Sequence, residues 1–456
     1  MHARHLAAMA AFGLLLVGAG CSGAESPGRA GREVITNLGH RIEAFDFCAA
    51  EDGSLQLVWI SSTSVPHTGY HQWDLWYCRR DANGSGWGNP ELLLPGAGSL
   101  LTPFLPPRIL CSGNDVHVFA ASNLLHLLSA DGGTTWTSLG PVLQQGQRAR
   151  AFDIATSSRG LVLAALASRP GTGSRAARDS LNVYLFCLVP GMRRGSGEVL
   201  ASIDRATSSQ PGMKLLPGRD EWHLVYSVQQ MWHREDVARG RSVSVSGVEG
   251  LTFSAVSLDQ GNSWTAPSRV VIPQNPVLPS NQALREGFDV LRTGTEITLV
   301  PGPTCFLQLG RNSIWALSER GKRPSSMLGG ITQFNSPTLA SDGSEKGQMF
   351  WIDSRHEKSD RTWYNPLGGI PWSDSPDWGN TDVFSLPLSR FLDPRVPQAV
   401  LEPKQWTRGL SFAKQVVARA VGNRIWVIWA SCENLRERKD IHRAPMAFHA
   451  VSLPAQ

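Results

Sequence analysis

Ser129-Ala130-Asp131-Gly132-Gly133-Thr134-Thr135-Trp136 returns later in the chain as Ser257-Leu258-Asp259-Gln260-Gly261-Asn262-Ser263-Trp264. Both copies read Ser-x-Asp-x-Gly-x-Thr/Ser-Trp. A third, eroded copy runs from Asp81 through Gly84 to Trp87, with Arg79 in place of the Ser and one extra residue before the Trp. The phrase suits a turn between two strands. An Asp carboxylate accepts from backbone N–H groups a few residues on. A Gly takes a positive φ that other residues resist. The Trp then lays a large ring on a neighbour, and is expected to be buried. Strand-like apolar residues flank both copies, Leu124–Leu128 before the first and Leu251–Val256 before the second.

The phrase resembles the Asp-box, the bacterial neuraminidase repeat found in sialidase-like β-propellers. The resemblance implies an all-β fold in which each box joins the third and fourth strands of a blade. It also implies that the boxes lie away from the active face. On that reading Ser129, Asp131, Gly133 and Trp136, with Ser257, Asp259, Gly261 and Trp264, are structural.

The rest of the chain supports many short strands. It has 456 residues, 45 Gly, 29 Pro and 16 Trp, and long amphipathic helical patterns are scarce. One large all-β domain is expected over residues 33–456. A recurring unit of strand, turn, strand ending in an aromatic, variable loop, strand, turn and strand gives seven blades. Unit five (about 285–323) is the weakest, so six blades is the alternative. Unit seven has three good strands, and Glu33–Asn37 is expected to supply its fourth. That would close the ring and cover an exposed sheet edge.

The first 20 residues read as a signal peptide, with Arg4 ahead of an apolar run from Leu6 to Val17 too short to span a membrane. Val17-Gly18-Ala19-Gly20-Cys21 resembles a bacterial lipoprotein box, with Gly18 where a Leu is usual. Cys21 is then the lipidated residue and Ser22–Arg32 a flexible tether, which places the protein at the cell envelope. The formal charge of +5 is mild and dispersed, and argues against nucleic acid as a partner. The sequence sets no oligomeric state. Six Cys remain beyond Cys21; export permits disulfides, and small buried hydrophobes explain them equally well. Cys48 and Cys111 stand at matching ends of first strands in successive units, which makes them a candidate pair. No Cys/His spacing suits a metal, and no cofactor is expected.

Function is expected where second strands pass to third strands, on the face opposite the boxes. Four such stretches are long and polar: Ser61–Trp73 with His71, Val228–Ser246, Asp353–Asp382 and Ser431–Arg443. The ligand-binding candidates are Trp232, Arg234, Glu235 and Asp236 in the second, and Asp353, Arg355, His356, Glu357 and Tyr364 in the third. Rings that stack on sugars beside Arg and carboxylates would make a glycan site there. A solvated charged loop explains any one of these residues at least as well. The resemblance to sialidases also implies three Arg on a substrate carboxylate, a Tyr–Glu pair and an Asp, in place of two catalytic carboxylates. The chain departs from that pattern: neither Arg41-Ile42 nor Arg108-Ile109 is followed by Pro, and no catalytic residue carries over. The expectation is therefore a lipid-anchored propeller that binds glycans or another polar ligand at its central mouth. A glycoside hydrolase acting on sialic acid or another acidic sugar, and an envelope scaffold or assembly factor, are the alternatives.

Overall fold

A computed structural model describes residues 32–37, 41–64, 71–83, 86–96, 101–102, 105–169, 180–188, 197–206, 211–238, 241–270, 288–293, 296–301, 312–315, 317–318, 327–330, 338–341, 347–353, 382–392, 404–407, 412–432 and 446–454. Among these residues the chain forms six four-stranded antiparallel sheets, one three-stranded sheet and a two-stranded sheet of Asn312–Trp315 and Met327–Gly330. Blade 1 takes Arg41–Ala49, Leu55–Ser64, His71–Arg80 and Glu91–Leu94, and blade 2 takes Arg108–Ser112, Asp115–Ala120, Leu125–Ser129 and Thr137–Pro141. Blade 3 takes Ala149–Ser157, Gly160–Ser168, Leu181–Leu188 and Gly197–Ile203. Blade 4 takes Gly212–Leu216, Trp222–Ala238, Arg241–Ser257 and Ser268–Arg269. Blade 5 is the three-stranded one, with Phe288–Thr293, Glu296–Pro301 and Leu317–Ser318. Blade 6 takes Thr338–Ser341, Gly347–Asp353, Asp382–Pro387 and Lys404–Gln405. Blade 7 takes Phe412–Val421, Arg424–Cys432 and Ala447–Pro454, and its fourth strand is Glu33–Asn37.

The first strand of each blade touches the first strand of the next, and that of blade 7 touches that of blade 1. Seven sheets thus stand around one axis as a β-propeller, closed as expected by the N-terminal strand, with Glu33 opposite Ala450. Unit five forms a blade of three described strands.

The core lies between the blades. Separate apolar clusters fill the gaps between blades 1 and 2, 2 and 3, 3 and 4, 6 and 7, and 7 and 1. The aromatics near the ends of second strands serve this packing: Trp59, Trp351 and Trp429 sit at like places in blades 1, 6 and 7 and are fully buried. Cys48 and Cys111 are joined in a disulfide that ties blade 1 to blade 2.

Both boxes fold alike. Asp131 Oδ1 accepts from the amides of Thr134 (3.0 Å) and Thr135 (2.8 Å), and Ser129 Oγ accepts from Gly133 N (2.7 Å). Asp259 Oδ1 accepts from Asn262 (3.1 Å) and Ser263 (2.8 Å), and Ser257 Oγ from Gly261 N (2.8 Å). Hydroxyl donors from Thr135 and Ser263 complete each carboxylate, whose pKa falls to about 2.

Each box also grips the preceding blade. Arg79 of blade 1 donates to Gly132 O (2.8 Å), and the Tyr77 ring meets Trp136 edge-on at 4.9 Å. Ser158 of blade 3 donates to Gln260 (2.6 Å) and Arg159 to Asn262 (3.1 Å). The eroded box does the same at the ring seam: Trp87 Nε1 donates to Glu33 (3.1 Å), which Arg80 clasps with two bonds of 2.9 Å. The expectation that Trp136 and Trp264 are buried is corrected. Both are half-buried, because one face packs on a core cluster while the turn itself stays at the surface.

Candidate functional site

Antiparallel pairing puts the starts of first and third strands at one edge of each blade, with the ends of second strands. This is the front edge. The box turns lie at the opposite, back edge. The expected division between a front of long connections and a back of boxes follows from this strand order.

Two of the expected loops are shorter than the sequence implied. In blade 1 pairing continues to Ser64 opposite His71, so strand occupies most of Ser61–Trp73. In blade 4 the stretch Val228–Ser246 is a two-stranded ribbon, with Trp232 opposite Gly247 and Asp236 opposite Val243. The alternation of Ser and Val from Ser242 to Ser246 extends the strand, and only Arg239 and Gly240 are left between the two arms. The side chains of His71, Trp232, Arg234, Glu235, Asp236 and Asp353 lie outside the described residues, as do Arg355, His356, Glu357, Tyr364 and Cys21 altogether. The backbone of Asp353 ends the second strand of blade 6, opposite Asp382, at the front edge.

The first strands, which meet around the axis, hold charged residues that the sequence reading passed over. Asp46, Asp153 and Asp289 occupy one place in the first strands of blades 1, 3 and 5. Each carboxylate accepts the backbone N–H of the next blade's first strand: Ile109 (3.5 Å), Leu215 (2.9 Å) and Leu339 (2.8 Å). The residue before that amide is Arg108 in blade 2 and Lys214 in blade 4. In blade 6 it is Thr338, whose hydroxyl accepts from Ala418 N (3.1 Å). Arg419 of blade 7 brings the third cation.

The cations close a ring of pairs. Arg419 lies 2.9 Å from Asp46, Lys214 lies 2.9 Å from Asp289, and Arg108 bridges Asp46 (3.8 Å) and Asp153 (3.4 Å). Burial works to raise the Asp289 pKa, but Lys214, the Leu339 amide and Arg419 outweigh it and hold the group below its ordinary value. Burial also works against the Arg108 charge, and Asp153, Asp46 and Asp289 together raise its pKa nonetheless. The three Asp and three cations sum to zero formal charge. A signal for this ring was present: Phe-Asp recurs at 45–46, 152–153 and 288–289.

Nearer the front, Glu43 of blade 1 faces Lys414 of blade 7 in close contact. Ser62 Oγ donates to the same carboxylate at 2.5 Å, and Arg41 Nε lies 3.5 Å away. Burial opposes the Glu43 charge, yet Lys414, Ser62 and Arg41 keep its pKa below the ordinary value. Burial lowers the Lys414 pKa, with Glu43 opposing and Arg41 adding. A carboxylate held ionised in this way accepts hydrogen bonds but is a poor general acid. Gln415 beside it exchanges two 3.0 Å bonds with the backbone of Phe45, which fixes the seam between the last blade and the first.

Three tyrosines lie among the described residues with visible partners. Tyr77 bonds Gln56, Tyr184 bonds Gln147 and Asn182, and Tyr226 stacks on Phe253 at 5.2 Å. None of the three is hydrogen-bonded to a glutamate.

No protein-family model matches the chain, and no curated protein does. Among solved structures it is similar to a Penicillium chrysogenum α-L-arabinanase complexed with arabinobiose, at 11% identity and a TM-score of 0.41, over 92% of this chain and 97% of that one. It is also similar to a Trypanosoma rangeli sialidase in complex with the inhibitor DANA, at 10% identity and a TM-score of 0.34, over 91% of this chain and 55% of that one. A prolyl endopeptidase shares 8% identity at a TM-score of 0.42 over 92% of this chain, which spans 51% of that enzyme. The propeller assignment rests on the strand order and blade contacts given above.

Proposed function

We propose that the protein is a saccharide-binding propeller that takes its ligand at the front mouth of the channel. One observation carries the reading. The channel cations Arg108, Lys214 and Arg419 are already held by Asp153, Asp289 and Asp46, while Glu43, Lys414, Ser62 and Arg41 gather at the mouth. Channel cations so neutralised are poorly placed to clamp an acidic substrate. The mouth instead offers charged and hydroxyl groups of the kind that pair with sugar hydroxyls. Arg355, His356, Glu357 and Tyr364 belong to the same reading, since they follow in sequence on Asp353, whose backbone stands at the front edge of blade 6.

Calorimetric titration of the soluble protein beginning at Ser22 tests it, with arabinobiose, lactose and 3′-sialyllactose as ligands. At least one should bind, and Glu43→Gln and Lys414→Met should weaken it. Failure of all three to bind discards the proposal. The hydrolase alternative is tested by release of 4-methylumbelliferone from its sialoside; no turnover between pH 4 and 9 removes the sialidase form. Export and lipidation of Cys21 complete the reading. Cys21→Ser should move the protein from the membrane fraction to the soluble fraction, and equal partitioning of both forms would refute the anchor.

A further inference from the structure

The strand that closes the ring also fixes where the N-terminal segment leaves the propeller. Glu33–Asn37 runs antiparallel to Ala447–Pro454. Asn37 stands opposite Ala447, where that third strand starts at the front edge, and Glu33 stands opposite Ala450, further back. The chain therefore enters this strand from the back and moves toward the front.

Side chains of two blades pin the entry. Arg80 holds the Glu33 carboxylate with two bonds of 2.9 Å, and Trp87 Nε1 donates to it at 3.1 Å. Both belong to the back edge of blade 1: Arg80 pairs with Leu55, the first residue of the second strand, and bridges to Trp87 across the eroded box. On blade 7 the Arg32 guanidinium lies 5.0 Å from the centre of the Trp429 ring, and its Nε donates to His449 Nδ1 at 3.2 Å. Arg32 is thus already fastened to the ring.

Only residues 22–31 separate Cys21 from Arg32. A random chain of ten residues has a root-mean-square span of about 17 Å. A ten-residue strand such as Leu55–Ser64 rises about 30 Å from back to front. To lay the front edge on a bilayer, a chain of that length leaving from the back would have to be drawn out almost fully along the blade. Laying the back edge there asks nothing of it.

We propose that the anchored propeller stands with its box-bearing back edge toward the bilayer and its mouth facing away. The mouth then takes saccharide from the side opposite its own membrane, and not from the headgroups of that membrane. This orientation rests on lipidation of Cys21 and on the front mouth as the binding face.

Ala82 is exposed at the back edge of blade 1, and Gln145 is exposed in the front connection from blade 2 to blade 3. Ala82→Cys and Gln145→Cys, in the lipidated full chain, are each labelled with a fluorescein maleimide and placed on phosphatidylcholine vesicles that contain a rhodamine-labelled lipid. Labelled parent protein corrects for the native thiols, and flotation establishes that the protein is on the vesicles. Energy transfer to the lipid should be about twofold or more greater from position 82 than from position 145, because the two edges differ by the height of a strand. Equal transfer from the two positions, or greater transfer from 145, on vesicles that carry the protein overturns the orientation and leaves the anchor standing. Failure of the protein to float with the vesicles overturns both.

Discussion

Asp46 of blade 1 and Arg419 of blade 7 lie 2.9 Å apart, 373 positions from each other in sequence, across the seam where the ring closes. Asp46 also accepts from Ile109 N and pairs with Arg108, so one buried carboxylate joins three blades. Removing its charge leaves two cations beside a neutral group. Asp46→Asn should lower unfolding free energy by about 3 kcal/mol, the range for breaking a buried pair from one side. A urea midpoint within error of the parent would show that the ring is not held through this residue.

Gly133 and Gly261 sit at the same place in the two boxes, with φ of 95° and 89°. A Cβ added at 133 would fall 1.7 Å from the Tyr77 hydroxyl, whereas one added at 261 would lie 2.9 Å from a Val162 methyl. Both Ala variants carry the backbone cost of positive φ, about 1–2 kcal/mol. Gly133→Ala should lose clearly more stability than Gly261→Ala. Tyr77→Phe, introduced into Gly133→Ala, should recover part of the difference by removing the obstructing oxygen. Equal losses at the two glycines would mean that the first box does not press on blade 1.

Much of this architecture was legible because it is written locally. The Ser-x-Asp-x-Gly phrase encodes its own hydrogen bonds, and Glu33–Asn37 brings β-branched Val34, Ile35 and Thr36 ahead of a ring whose last unit shows only three strands. Cys48 and Cys111 were legible as a pair because each ends a first strand. The ribbon of blade 4 was misread, since charged residues from His233 to Asp236 resemble a loop when their cross-strand partners are unknown. The channel ring was missed for the opposite reason. Asp46, Asp153 and Asp289 sit inside apolar runs, where a single acidic residue looks like a break in the strand. Only the partner blade reveals what each carboxylate is for.

The disulfide between Cys48 and Cys111 closes a loop with a sequence separation of 63. Cross-linking at that spacing restricts the unfolded chain and contributes about 4 kcal/mol by loop-entropy arithmetic. The Cys48→Ser/Cys111→Ser double variant should therefore melt several degrees below the parent, and dithiothreitol should bring the parent down to the variant's value. A parent whose melting temperature ignores the reductant would show that the cross-link adds nothing to stability.

His117 and His126 lie on adjacent strands of blade 2 with ring nitrogens 3.1 Å apart, and His126 stacks on Phe119 at 4.2 Å. Burial lowers the pKa of both. It takes His126 from 6.5 to about 4 with help from His117, and Asp115 only partly offsets the shift at His117. An unfolded chain binds a proton at His126 near pH 6.5, whereas the folded chain does not until near pH 4, and burial shifts His117 in the same direction. Stability contributed by the neutral pair is thus full above pH 6.5 and declines as pH falls toward 4. The box carboxylates Asp131 and Asp259, with pKa values of about 2, lose their contribution only at lower pH. Between pH 7 and 5 the histidines can therefore be observed nearly alone. Unfolding free energy should fall over that window in the parent and fall less in His126→Phe, which keeps the stack on Phe119. Parallel pH profiles for the two proteins would place the acid sensitivity elsewhere in the ring.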